Sequence, residues 1–364
     1  MICVLMQSQH HHIFEPVYLY GKPRNQGVIR QFPADFIVSE CLGFEPSGEG
    51  EHLYLQVQKQ GENTQWLARQ LASAFGIRLR DVSFSGLKDR HALTTQWFSL
   101  HLPGKTDRDD QVIELPNITV LQRARHHKKL RRGAHKTNEF EIRIRSVAGD
   151  RVDIEHRLAA LQKGFPNYFG PQRFGTANRN LEKVRQLFAG QLRKVRRETR
   201  SLYLSTARAW LFNLVLSGRM SEEGMPNLRE GDVLQLAGTN SVFCVTELDS
   251  ELLKRLEKGD VFLTGPLWGR GPVMTGASMT VLEQGFTAAE PDLKAGLEAA
   301  GLTADRRALL SRPRQLSWEW ENEATVRIGF HLGQGVYATS LLREVFHLKD
   351  AMVRESGGTD ELVG

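Results

Sequence analysis

Cysteine is scarce: only Cys3, Cys41 and Cys244 occur in 364 residues. Three cysteines, widely separated and without CxxC spacing, make neither a disulfide framework nor a zinc site, and such a chain suits a reducing cytoplasm. Long apolar runs are missing too; none reaches the roughly 18 residues of a membrane span. The short apolar start, Met1 to Met6, has no basic residue before it and runs into Gln-Ser-Gln and His10, His11 and His12. That pattern is no signal peptide, and residues 1–20 read as a disordered leader in which the histidines are incidental. Also absent are a P-loop, a dinucleotide fingerprint and an HExxH motif, so neither phosphate hydrolysis nor metal-centred chemistry is written in its usual form. Acidic ligands are not clustered, which disfavours a metal-dependent nuclease.

What is present is an ordinary globular composition, 40% apolar and 25% charged, in a chain long enough for two domains. Lys plus Arg outnumber Asp plus Glu by 48 to 42, a net charge of +6, and the clustering of that excess matters more than its size. Arg123, Arg125, Lys128, Lys129, Arg131, Arg132 and Lys136 fall within fourteen residues, with three histidines and no acid among them. Such density fits either nucleic-acid phosphates or a solvated loop. A second basic cluster runs from Arg193 to Arg200.

Periodicity predicts short strands at 36–40, 52–58, 82–84, 94–100 and 140–144, and amphipathic helices at 64–76 and 152–163. Residues 18–30, rich in Gly, Pro and Asn, read as an extended lead-in. Thr64 is the expected N-cap of the first helix. Phe165 to Gly175 crowds aromatics, Pro and Gly into a structured hinge. A further helix is expected from Thr206, stopping at Gly218. The character changes over 164–311 and then reverts, with a strand at 325–331, a glycine turn and a helix at 339–346. The return suggests a domain inserted into another.

Between two strand signals lies Gly86-Leu-Lys-Asp-Arg-His-Ala92, which reads as a tight connection presenting Asp89 between Lys88 and Arg90. Nearby cations favour the charged form of a carboxylate. Phe36 beside its strand suits a core or a cleft. Asn138 suits a turn, a cap or recognition of a base edge, since an amide both donates and accepts. Phe140 shares a face with Ile142 and Ile144.

Gly86 to Ala92, Asn138-Glu-Phe140, Pro166-Asn-Tyr-Phe-Gly-Pro-Gln-Arg-Phe-Gly175 and Ala338-Thr-Ser-Leu-Leu-Arg-Glu344 occur together and in order. In this the chain resembles the TruD family of tRNA pseudouridine synthases, over about residues 21–346. The resemblance implies an α+β fold: a catalytic domain with a mixed, mainly antiparallel sheet and flanking helices at 21–163 plus 312–350, an inserted α/β TRUD domain at 164–311, and a frayed tail at 351–364. It implies an isomerase that converts uridine at position thirteen of tRNA to pseudouridine by flipping the base, with no cofactor or metal. Asp89 is then the catalytic residue, and Phe36, Asn138, Phe140 and Tyr337 hold the base. Tyr337 departs from the phenylalanine expected there; stacking survives, but the hydroxyl needs a partner. Lys88, Arg90 and the run from Arg123 to Lys136 would grip the RNA backbone. The partner implied is tRNA, with no membrane and no obligate protein partner, and the enzyme is expected to be a cytoplasmic monomer. A reading from another class is a non-catalytic RNA-binding or RNA-folding module, which gives Asp89 no reason to sit between two cations.

Overall fold

In a computed structural model the structure describes residues 15–104, 109–175 and 178–352. The chain divides into two compact units: residues 22–165 with those from 311 onward, and residues 166–310 with those up to 21. Residues 1–14, with the three histidines, and the tail beyond 352 lie outside the described residues. Residues 15–20, expected to belong to a leader, have a defined place: Val17 and Leu19 pack on the core of the 166–310 unit.

The first unit opens with strands β1 (Gln26–Ile29), β2 (Phe36–Cys41) and β3 (His52–Gln60), helix α1 (Thr64–Ala74), strands β4 (Val82–Phe84), β5 (Leu93–His101), β6 (Ile118–His126) and β7 (Thr137–Ala148), and helix α2 (Arg151–Ala160). Alternating apolar residues place Leu53, Leu55 and Val57 of β3 against Leu67, Leu71 and Phe75 at helical spacing on α1. The cap of α1 is Asn63, whose side chain accepts from the Trp66 N–H at 2.7 Å. Thr64, the expected cap, is buried and otherwise engaged. Its hydroxyl accepts from the Lys88 N–H at 3.0 Å and donates to Gln96 Oε1 at 2.8 Å.

The chain then forms β8 (Phe165–Pro166), α3 (Arg179–Phe188), α4 (Arg197–Glu223), β9 (Val233–Leu236), β10 (Val242–Cys244), α5 (Ser250–Lys258), β11 (Val261–Leu267), α6 (Ala277–Phe286), α7 (Pro291–Ala299), β12 (Asp305–Ala308) and β13 (Leu310–Ser311). In the 166–310 unit, an antiparallel sheet in the order β10-β9-β11-β12 is packed by α4, with Phe212, Leu216 and Met220 in its core. Gly218, expected to stop this helix, lies inside it. A Cβ there would stand 2.2 Å from the Phe286 ring, so the glycine serves close packing rather than termination.

The final stretch returns to the first unit as β14 (Arg314–Asn322), β15 (Thr325–Gly333), α8 (Ala338–Leu342) and β16 (His347–Asp350). Its sheet runs β14-β15-β7-β2-β5-β3-β6, with β4 on β5 and β1 bridging β7 and β16. All pairings are antiparallel except β2 with β5 and β1 with β16. The fold is therefore α+β with a mixed, mainly antiparallel sheet. β16, absent from the sequence expectation, brings Asp350 beside Ile29.

Candidate active site on the face of the larger sheet

Asp89 lies in an irregular segment from Ser85 to Ala92, longer than the tight hairpin expected, because β4 pairs with the far half of β5 (Phe84 with Phe98). Two side chains beneath hold this loop: the Thr64 hydroxyl takes the Lys88 N–H, and Gln96 Nε2 donates to the Gly86 carbonyl at 3.4 Å. The Asp89 side chain is 26% exposed. Its Oδ1 accepts from the His91 N–H at 2.9 Å, and its Oδ2 is ion-paired with Arg30 Nη1.

The cation on Asp89 is thus Arg30, not the sequence neighbours. Arg30 follows β1 with a positive φ of 57°, an unusual backbone for a residue with a Cβ, which turns a buried guanidinium into the site. The same guanidinium forks onto Asp350, Nε donating to Oδ1 at 3.2 Å and Nη2 pairing with Oδ2, and its Cζ stands 5.2 Å from the Phe36 ring centroid. Arg90 is exposed. Lys88 turns inward, its ammonium 3.0 Å from the fully buried Glu40 carboxylate, which corrects the expectation that it grips RNA.

Register explains the rest. Across β2 and β7, Phe36 faces Ile142, Val38 faces Phe140 and Glu40 faces Asn138; across β7 and β15, Phe140 faces Phe330. Directly opposed residues share a sheet face, so one face carries Phe36, Glu40, Asn138 and Phe140. Phe36 meets Phe140 edge-on at 6.3 Å, and Phe140 stacks on Phe330 at 5.3 Å. All three rings are buried. Tyr337 comes from a different element, half-buried as the residue before α8. The turn before it is tied to the segment leading into Asn138, since Gln334 Nε2 donates to the Gly133 carbonyl at 2.7 Å and to the His135 carbonyl.

Two members of the basic run are likewise turned inward. Arg125 is buried and pairs with Asp109 while donating to the Leu102 carbonyl at 2.9 Å; Arg123 donates to the carbonyls of Asp109 and Gln111. A guanidinium spent on the protein's own acceptors is not offered to a phosphate, so both depart from the role expected. Lys128, Lys129, Arg131, Arg132 and Lys136 are exposed.

The sequence reading missed Arg30, Asp350, Lys59, Glu40 and His135. Lys59 is fully buried, donating to the carbonyls of Glu62 at 2.7 Å and Asp89 at 3.3 Å. Burial lowers its pKa to about 8, against the opposing pull of Asp89. A signal existed for two of these: Lys59 continues the inward register of Leu53, Leu55 and Val57, and Glu40 that of Phe36 and Val38. A charge on an apolar register is a charge with a buried partner.

The sequence model of the family described as "tRNA pseudouridine synthase D (TruD)" matches residues 15–187 and 177–345. A protein of Aeromonas hydrophila named tRNA pseudouridine synthase D is 45% identical over 336 residues, 92% of this chain and 94% of its own length. One of Hydrogenovibrio crunogenus with the same name is 43% identical, covering 91% and 96%. A crystal structure from Methanosarcina mazei named for the same synthase superposes with a TM-score of 0.66 at 22% identity, over 91% of this chain and 95% of that one, a likeness of fold.

Proposed function

This chain belongs to the tRNA pseudouridine synthase D (TruD) family, and on that footing we propose that Asp89 is the carboxylate through which it acts on uridine at position thirteen of tRNA. Its activity is that of an isomerase converting uridine in tRNA to pseudouridine. The reaction breaks the bond from N1 to C1′, turns the base, joins C5 to C1′, and moves one proton from C5 while N1 gains one. Atoms and electrons balance within the nucleoside, so no redox partner or cofactor enters.

The carboxylate of Asp89 serves at the sugar, by one of two routes: as a nucleophile at C1′ or as a base toward C2′. The observation that carries the assignment is its setting: partly exposed, fixed by the His91 N–H on one oxygen and by Arg30 on the other. A uridine in folded RNA must leave its stack to reach it, at a cost of a few kcal/mol. Stacking on one ring returns roughly 1–3 kcal/mol. Tyr337, half-buried, supplies that ring; Phe36 and Phe140 supply an apolar floor, and Asn138 reads the base edge. Lys128, Lys129, Arg131, Arg132 and Lys136, with Arg90, hold the phosphates. No helix among the described residues is long and apolar enough to cross a membrane. We place the enzyme in the cytoplasm, acting as a monomer on tRNA without a protein partner.

The test is Asp89→Asn. Turnover, followed by chemical mapping of pseudouridine in unmodified tRNA, should vanish while tRNA affinity stays within about threefold, since a neutral isostere disturbs binding little. A variant that keeps its activity refutes the assignment. The non-catalytic alternative is not favoured, since the relatives matched along nearly the whole chain are named as synthases.

A further inference from the structure

Beside Asp89 runs a chain of hydrogen bonds that the isomerisation does not itself require. It starts at Glu40, whose carboxylate is fully buried: Oε2 accepts from the Trp97 N–H at 2.8 Å, and Oε1 accepts from Lys88 Nζ at 3.0 Å. His135 Nδ1 lies 3.3 Å from the same Oε1. A carboxylate only accepts, so the anion beside the ring favours the tautomer with its proton on Nδ1, which then donates to the nearer Ser85 Oγ. Ser85 Oγ, 2.5 Å from Nδ1, already accepts from the His135 backbone N–H at 2.9 Å and has a lone pair to spare.

With the proton on Nδ1, Nε2 is left as an acceptor, and Asn138 Nδ2 stands 3.3 Å from it. The amide cannot turn over without setting its own oxygen against that lone pair. Asn138 Oδ1 is thereby held on the other side, where it is buried and has no hydrogen-bond partner among the described residues. An orphaned buried acceptor costs free energy and calls for a ligand that donates.

We infer that His135 is a positioning residue, fixing the Asn138 amide with its oxygen toward the substrate so that the site takes uracil, whose N3 bears a hydrogen, and rejects cytosine, whose N3 is an acceptor. The inference rests on the base-holding role proposed above for Asn138. If the ring were doubly protonated, Nε2 would donate, the amide would reverse, and its NH₂ group would face the base and suit cytosine instead. The ionisable groups facing His135 are Glu40 and Lys88, beside the neutral Ser85 and Asn138 and the Gln334 amide on its carbonyl. Burial first, and Lys88 after it, lower the His135 pKa, with Glu40 opposing, which keeps the ring neutral at neutral pH.

The test uses the full chain carrying Asp89→Asn to prevent turnover, and measures affinity for tRNA with either uridine or cytidine at the target position. Only the ratio is read, so a general loss of affinity cancels. At pH 8 uridine should be preferred by about tenfold or more, the usual reach of base-edge hydrogen bonds. That preference should shrink to within about threefold in His135→Leu, recover in part in His135→Gln, whose amide oxygen can accept from Asn138, and decline as pH falls from 8 to 5. Absence of any preference before His135 is touched, or its survival in Asn138→Ala, refutes the role of Asn138. If Asn138→Ala abolishes the preference but His135→Leu and the pH series both leave it intact, the positioning role is overturned. Should His135→Leu fail to fold, His135→Ala, which likewise offers Asn138 no acceptor, is read in its place.

Discussion

Burying a lysine amine under the loop that carries Asp89 leaves a trace in how stability depends on pH. Lys59 has an ordinary pKa of 10.5 when unfolded and about 8 in the fold, with burial as the dominant cause. Below pH 8 both states hold the proton and the cost of burying the charge is felt in full. Between pH 8 and 10.5 the unfolded chain keeps a proton that the folded one has lost, so stability rises with pH; above 10.5 the penalty is gone. At about 1.4 kcal/mol per pH unit, the window amounts to roughly 3 kcal/mol, of which about 2 kcal/mol should be recovered by pH 9.5. Lys59→Met lacks this term. The measurement is urea unfolding of the native chain and the variant at pH 7.5 and 9.5, followed by tryptophan fluorescence, with the difference between the two proteins as the readout. The native chain should gain on the variant by about 2 kcal/mol over that interval. A difference unchanged between the two pH values would refute the idea that an ammonium is buried there at a cost.

Four other perturbations have equally definite outcomes. Arg30→Met should destabilise the larger-sheet unit by about 3 kcal/mol, the low end of the cost of removing one member of a buried pair, because Asp89 and Asp350 keep 26% and 20% exposure; urea unfolding checks this, and kcat should fall with it. Neutralising Lys128, Lys129, Arg131, Arg132 and Lys136 should flatten the dependence of tRNA affinity on salt by nearly one unit of slope for each phosphate left without its cation, whereas Arg123→Gln should leave that slope unaltered. Gly218→Ala should cost about 1–3 kcal/mol of overpacking against Phe286, read as a lowered unfolding midpoint.

Periodicity was enough to find the strands at residues 36–40, 52–58 and 140–144 and both flanking helices, because each buries one face and a buried face must repeat with the element's own period. Motifs placed Asp89, and register then set Asn138 and Phe140 on one face. What sequence could not show was pairing between distant charges. Lys88 and Arg90 adjoin Asp89 along the chain, yet Arg30 reaches it in space, because β1, carried between β7 and β16, ends with Arg30 in the site. Along the chain Arg125 reads as one more phosphate ligand, but its guanidinium is paired with Asp109. Thr64 carried a cap signature and Gly218 a stop signature, but both are spent on long-range contacts, which local propensity does not encode.

The strand order carries one last consequence, for how the protein is made. β15 lies against β7 within the larger sheet, and β16 completes the edge at β1, yet both leave the ribosome only after the intervening residues 166–310. At about 5–20 residues per second, the nascent sheet waits on the order of ten seconds with the hydrogen-bonding edge of β7 bare. Asp350 arrives later still, so the Arg30 fork closes only once β16 has been made. Newly made chains therefore pass through a stage with a bare strand edge and a half-paired arginine.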